Sequence, residues 1–130
     1  MIYLDSSALV KLAIAEPESA GLRHWLGEHP NLVRVSSELT RVEVVRVIWR
    51  AAPTALPEGY LVTRRIAEIE LTDEVLRRAA AVRPARLSSF DAVQIASALT
   101  IREQLTAFVT YDKVLLEAAG QAGLATASPA

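Results

Sequence analysis

Cysteine is missing from this chain, which excludes disulfides and thiolate metal sites and fits a reducing compartment. No apolar run approaches the roughly 18 residues that a membrane helix needs. The start, Met1-Ile2-Tyr3-Leu4-Asp5, has neither a basic n-region nor a long apolar stretch, so it does not read as a signal peptide. Histidine is scarce: His24 and His29 fall in a polar helix end or loop, far in sequence from the acids of interest, and are expected at the surface. A dominant charge is also lacking. Fourteen basic and fifteen acidic residues leave a net charge of −1, which does not advertise nucleic-acid binding. The segment Arg41 to Arg86 is locally basic, with nine Arg against six acids, and Arg suits bidentate phosphate contact. A soluble, cytoplasmic protein with no membrane association is the expectation.

What is present suffices for one domain over residues 1–130. Hydrophobic residues make up 52% of the chain, and no repeat, linker or low-complexity stretch interrupts it. Only the last few residues, Thr126 to Ala130, are expected to be flexible. Short apolar runs predict buried strands at Ile2–Leu4, Leu32–Val35, Ala107–Thr110 and Leu124–Thr126. The alternation from Ile66 to Leu71 predicts a strand near a sheet edge. Helical patterns cover Ser7–Ile14, Glu18–Gly27, Ser37–Arg50, Thr72–Val82, Ser88–Arg102 and Lys113–Ala119, with Pro53 and Pro57 expected to break the chain after the third. Strands alternating with helices predict an α/β domain with a mostly parallel sheet and helices on both faces. In such sheets ligands lie beyond the carboxyl ends of the strands, where strand order reverses.

That rule singles out four carboxylates. Aspartate occurs only four times, and Asp5 and Asp112 each follow a predicted strand, while Asp91 opens a strongly apolar helix. Asp73 looks like a plain helix cap. Glu43 lies one turn into the helix after the second strand. Each has an ordinary explanation: Asp5 and Asp112 as N-caps, Asp91 in a capping box with Ser88, Glu43 in a capping box with Thr40 or paired with Arg46. Taken together they make a different kind of sense. Four carboxylates converging at one sheet end repel one another and raise each other's pKa, a cost that a hard divalent cation relieves. An all-oxygen set without Cys or a usable His points to Mg²⁺ or Mn²⁺ rather than Zn²⁺. Such a site suits phosphodiester hydrolysis, with no covalent nucleophile.

At these residues the sequence resembles the PIN-domain family, in particular the VapC toxins of bacterial toxin–antitoxin pairs. The matching stretches are Ile2-Tyr3-Leu4-Asp5-Ser6-Ser7-Ala8-Leu9, the Ser36–Val44 segment carrying Glu43, Leu87–Leu99 carrying Asp91, and Val109–Leu115 carrying Asp112. They run nearly end to end in the family's order. The resemblance implies a three-layer α/β/α domain with a parallel five-stranded sheet and Mg²⁺- or Mn²⁺-dependent endonucleolytic cleavage of RNA. It implies Asp5, Glu43 and Asp91 as metal ligands, with Asp112 acting directly or through water. Ser7 and Thr110 stand where the family often has hydroxyls that orient the cluster. It further implies a homodimer and a VapB-like antitoxin whose C-terminal segment fills the groove, often with an Arg near the acids. One departure is Gln94: many relatives carry His there, three residues after the third motif's Asp, so a titratable helper is absent.

One other reading fits the residues equally well, and two fit less well. A PIN nuclease without an antitoxin shares every motif. A PIN-like domain used only for binding would be expected to lose some of the four acids. A receiver-type signalling domain needs an acidic pair at the first strand and an isolated Asp after the third, yet no Asp lies between Asp5 and Asp73 and the expected Lys on the last strand is missing.

Overall fold

The computed structural model describes residues 1–130. Its elements are β1 (Ile2–Leu4), α1 (Ser6–Ala13), α2 (Ser19–Gly27), β2 (Arg34–Ser37), α3 (Thr40–Ala51), α4 (Leu56–Arg64), β3 (Ala67–Ile69), α5 (Asp73–Ala80), α6 (Ser89–Thr100), β4 (Ala107–Val109), α7 (Lys113–Gln121) and β5 (Thr126–Ala127). The five strands form one sheet in the order β3-β2-β1-β4-β5, and every pair is parallel. The chain moves outward from β1 to β3, then returns to the other side of β1 for β4 and β5. Strand order therefore reverses between β1 and β4.

Alternation along the central strands divides the core. Ile2, Leu4, Ala107 and Val109 pack with Leu9, Leu22, Val44 and Ile48, so α1, α2 and α3 cover one face. Tyr3 and Phe108 point the other way, stacked with ring centroids 4.9 Å apart, against Ile95, Leu115 and Ala118 of α6 and α7. The α5 helix docks on α6 through Val75, Ala79, Ala92 and Ala96. Each fully buried side chain of this size contributes about 1.5–3 kcal/mol. The result is the expected three-layer α/β/α arrangement.

Three expectations need adjustment. The second strand begins at Arg34, although Val33 already accepts a bond from Ile2 N at 2.9 Å. Pro57 does not end helical structure: it sits in the first turn of α4, where its missing N–H costs nothing. The C-terminal residues are tied down. Thr126–Ala127 pairs with β4, Ser128 Oγ donates to the Thr110 carbonyl, and Tyr111 OH donates to the Pro129 carbonyl. No helix is long and apolar enough to cross a membrane.

Candidate active site

The carboxyl ends of β1 and β4 meet through hydroxyl groups. Asp5 follows β1 and caps α1, its Oδ1 accepting from Ala8 N at 2.9 Å. Ser7 Oγ donates to Oδ1 at 2.6 Å, and Thr110 Oγ1, just past β4, donates to Oδ2 at 2.6 Å. The same hydroxyls accept backbone N–H groups, Ser7 from Tyr111 at 2.9 Å and Thr110 from Asp112 at 3.1 Å. Each hydroxyl proton is thus committed to Asp5 while its lone pairs are held by the chain. Oδ1 accepts two bonds and Oδ2 one, so Oδ2 keeps acceptor capacity.

Asp5 is 2% exposed, and burial pushes its pKa up to about 6 despite the donors from Ser7, Thr110 and Ala8; the charge of Glu43 pushes it in the same direction. Glu43, on α3, is half-buried and also raised, first by burial and then by Asp91, against a lowering contact from Ser6. Asp91, in the first turn of α6, is raised by burial and then by Asp112. Repulsion therefore links all four acids in a series, Asp5 to Glu43 to Asp91 to Asp112. They line one open crevice of about 400 Å³ at the β1/β4 reversal point, together with Ser6, Ser7, Lys11 and Tyr111.

The structure does not close them onto a point. As placed, no three acidic or histidine side chains stand close enough to share one ion. Asp5 is fixed by its donors, Glu43 and Asp91 are half-buried, and Asp112 is exposed. The donor set still fits a hard divalent cation: it is all oxygen and carries an excess of negative charge, with an acceptor position open on Oδ2.

Two of the four crevice acids, Asp5 and Asp112, are also helix caps. Asp112 caps α7 through Leu115 N at 3.0 Å, as Asp5 caps α1. Ser88, not Asp91, caps α6, accepting from Asp91 N at 3.2 Å and leaving the Asp91 carboxylate directed to the crevice. Asp73 is not a cap: Thr72 takes that role and Asp73 pairs with Arg77. Glu43 makes no ion pair with Arg46, and both histidines lie outside the crevice.

Two features escaped the sequence reading. Lys11 is the one basic side chain in the crevice, buried, bonded to Glu18 at 2.8 Å and Glu16 at 3.4 Å, with Nζ 4.7 Å from the Tyr111 ring centroid. Its position between Val10 and Leu12 on the inward side of an apolar helix was the available signal. The second is the role of Gln94, which the sequence marked only as a departure from the family: 1% exposed, it joins Tyr3 and Thr40.

Known proteins resemble this chain over nearly its whole length. The family described as the PIN domain matches residues 2–121. Ribonuclease VapC47 of Mycobacterium tuberculosis (strain CDC 1551 / Oshkosh) is 41% identical over 132 residues, covering 99% of this chain and 97% of the relative. Ribonuclease VapC35 of the same strain is 43% identical over 132 residues at the same coverage. Ribonuclease VapC46 of the H37Rv strain is 38% identical over 129 residues, covering 98% and 97%. Among solved structures, Mycobacterium tuberculosis VapC20, described as a sarcin–ricin loop cleaving toxin, superposes with a TM-score of 0.76 at 13% identity, covering 99% of this chain and all of that one. FitAcB from Neisseria gonorrhoeae gives 0.63 at 18% identity, covering 99% and 98%. At these identities the structural matches speak for the fold.

Proposed function

The chain belongs to the PIN-domain family, and on that footing we propose that it is a metal-dependent endoribonuclease, the toxin of a VapC-type toxin–antitoxin pair. The observation that carries the reading is the crevice at the β1/β4 reversal, where Asp5, Glu43, Asp91 and Asp112 form one electrostatically linked set. The ribonuclease names of relatives 38–43% identical over nearly the whole chain support it.

Asp5, Glu43 and Asp91 are the residues that would hold Mg²⁺ or Mn²⁺, with Asp112 reaching it directly or through water. When bound, such an ion supplies an activated water and stabilises charge on the attacking and leaving oxygens of a phosphodiester. The chain's own residues prepare the place. Ser7 and Thr110 fix the rotamer of Asp5 and keep it ionised near neutral pH against the pull of burial. Lys11 sets a cation in the crevice, its charge met by Glu18 at 2.8 Å and Glu16 at 3.4 Å. The substrate is RNA, the partner a VapB-like antitoxin, the assembly a homodimer and the compartment the cytoplasm.

Cleavage of RNA by the purified protein tests this. Asp5→Asn is expected to abolish Mg²⁺- or Mn²⁺-dependent cleavage while the variant stays folded. Full cleavage by that variant contradicts the mechanism. Expressed without an antitoxin, the wild type is expected to arrest growth and Asp91→Ala to relieve the arrest; equal inhibition by both contradicts catalytic toxicity.

A further inference from the structure

Beneath the acids lies a second, uncharged layer. Ser37 N–H donates to Tyr3 OH at 3.1 Å, Tyr3 OH donates to Gln94 Oε1, and Gln94 Nε2 donates to Thr40 Oγ1 at 3.0 Å. Ser36 Oγ donates to Thr40 Oγ1 at 2.9 Å. Tyr3, Ser36, Thr40 and Gln94 are all at most 2% exposed. Solvent therefore cannot substitute for any of these bonds, and every partner is needed to satisfy the others.

The placement of this layer is the informative part. Tyr3 precedes Asp5 by two residues at the end of β1. Thr40 precedes Glu43 by three, one turn along α3. Gln94 follows Asp91 by three, one turn along α6. Three elements that share few other contacts at this end of the sheet are thus joined one step behind the three acids they carry. Gln94 bridges the layer through both ends of its amide: Oε1 accepts from Tyr3 OH and from Thr40 Oγ1 at 3.3 Å, and Nε2 donates to Thr40 Oγ1.

We propose that Gln94, with Tyr3 and Thr40, is a positioning group that sets the spacing of Asp5, Glu43 and Asp91 and so the affinity of the site for a divalent cation. This rests on the metal-dependent reading above. Partners behind metal ligands typically change affinity or activity by about 10–100-fold when removed, and the effect is expected here although Gln94 touches no substrate.

The test is Mn²⁺ titration of the wild type, Thr40→Val, Tyr3→Phe and Thr40→Ser, read by electron paramagnetic resonance, with circular dichroism to confirm folding. Thr40→Val and Tyr3→Phe are expected to bind Mn²⁺ at least about tenfold more weakly. Thr40→Ser, which restores the hydroxyl, is expected to stay within about twofold of wild type, a rescue that core packing alone does not give. Should Thr40→Val not fold, Tyr3→Phe decides, since it removes only the hydroxyl and keeps the ring. Folded Thr40→Val or Tyr3→Phe with wild-type affinity overturns the inference and leaves the nuclease reading intact. Wild-type protein that binds Mn²⁺ but cleaves no RNA, with binding still weakened in the variants, overturns the nuclease reading and leaves this inference standing. No Mn²⁺ binding by the wild type overturns both.

Discussion

Thr110 Oγ1 donates to Asp5 Oδ2 at 2.6 Å across 105 positions of sequence, joining the ends of β1 and β4 where the order of the sheet reverses. Removing that donor favours the protonated carboxyl, so the Asp5 pKa rises further from about 6. Thr110→Val is therefore expected to move the acid limb of the pH–rate profile for RNA cleavage to higher pH by about one unit or more, a charge-assisted bond being worth about 1.5–3 kcal/mol. Thr110→Ser is expected to keep the wild-type profile. An unmoved acid limb in Thr110→Val contradicts the role given to this bond.

Asp5 also ties stability to pH. Its folded-state value of about 6 stands above the ordinary 3.8, so the folded chain holds this proton more tightly than the unfolded one. The associated stability is fully present below about pH 4 and is lost as pH rises through about 6, a fall of about 3 kcal/mol. Asp5→Asn cannot ionise and keeps an acceptor for its neighbours. In chelator, its melting temperature is expected to exceed that of the wild type at pH 7 to 8, with the gap closing near pH 4. Added Mn²⁺ is expected to raise the melting temperature of the wild type and not of the variant. A less stable Asp5→Asn at pH 8 contradicts the burial argument.

Asp112 does two jobs that substitution separates. Its carboxylate caps α7 through Leu115 N at 3.0 Å and lines the crevice. Asn retains the cap and removes the charge, whereas Ala removes both. Asp112→Ala is expected to cost about 1 kcal/mol in denaturant unfolding, and Asp112→Asn only a few tenths. Both are expected to lose RNA cleavage to a similar degree. Full activity in Asp112→Asn contradicts a chemical role and leaves Asp112 a cap.

How much of this was legible in the sequence follows from the physics of each element. The strands β1 and β4 are runs buried on both faces, and their apolar composition marks them without any partner being known. The acids after them were legible for the same reason, since a strand end in a parallel sheet is a fixed place. The α4 helix was not: Pro57 reads as a breaker, and only the observed start at Leu56 shows it to be an initiator. Gln94 was unreadable for a different reason. Its partners Tyr3 and Thr40 are 91 and 54 positions away, so nothing local distinguishes it from any polar residue on an apolar helix. Nor could spacing along the chain tell a cap from a crevice residue, because Asp5 and Asp112 cap helices and line the crevice at once.

Asp5, Glu43 and Asp91 are proposed to share one divalent cation, with Asp112 at its margin. Anomalous diffraction from crystals of the protein grown with Mn²⁺ tests this most directly. A single strong peak is expected in the crevice between β1 and β4, coordinated by carboxylate oxygens of Asp5, Glu43 and Asp91. Full Mn²⁺ occupancy elsewhere on the molecule with none in that crevice, or a peak there that leaves Asp5 uncoordinated, would contradict it.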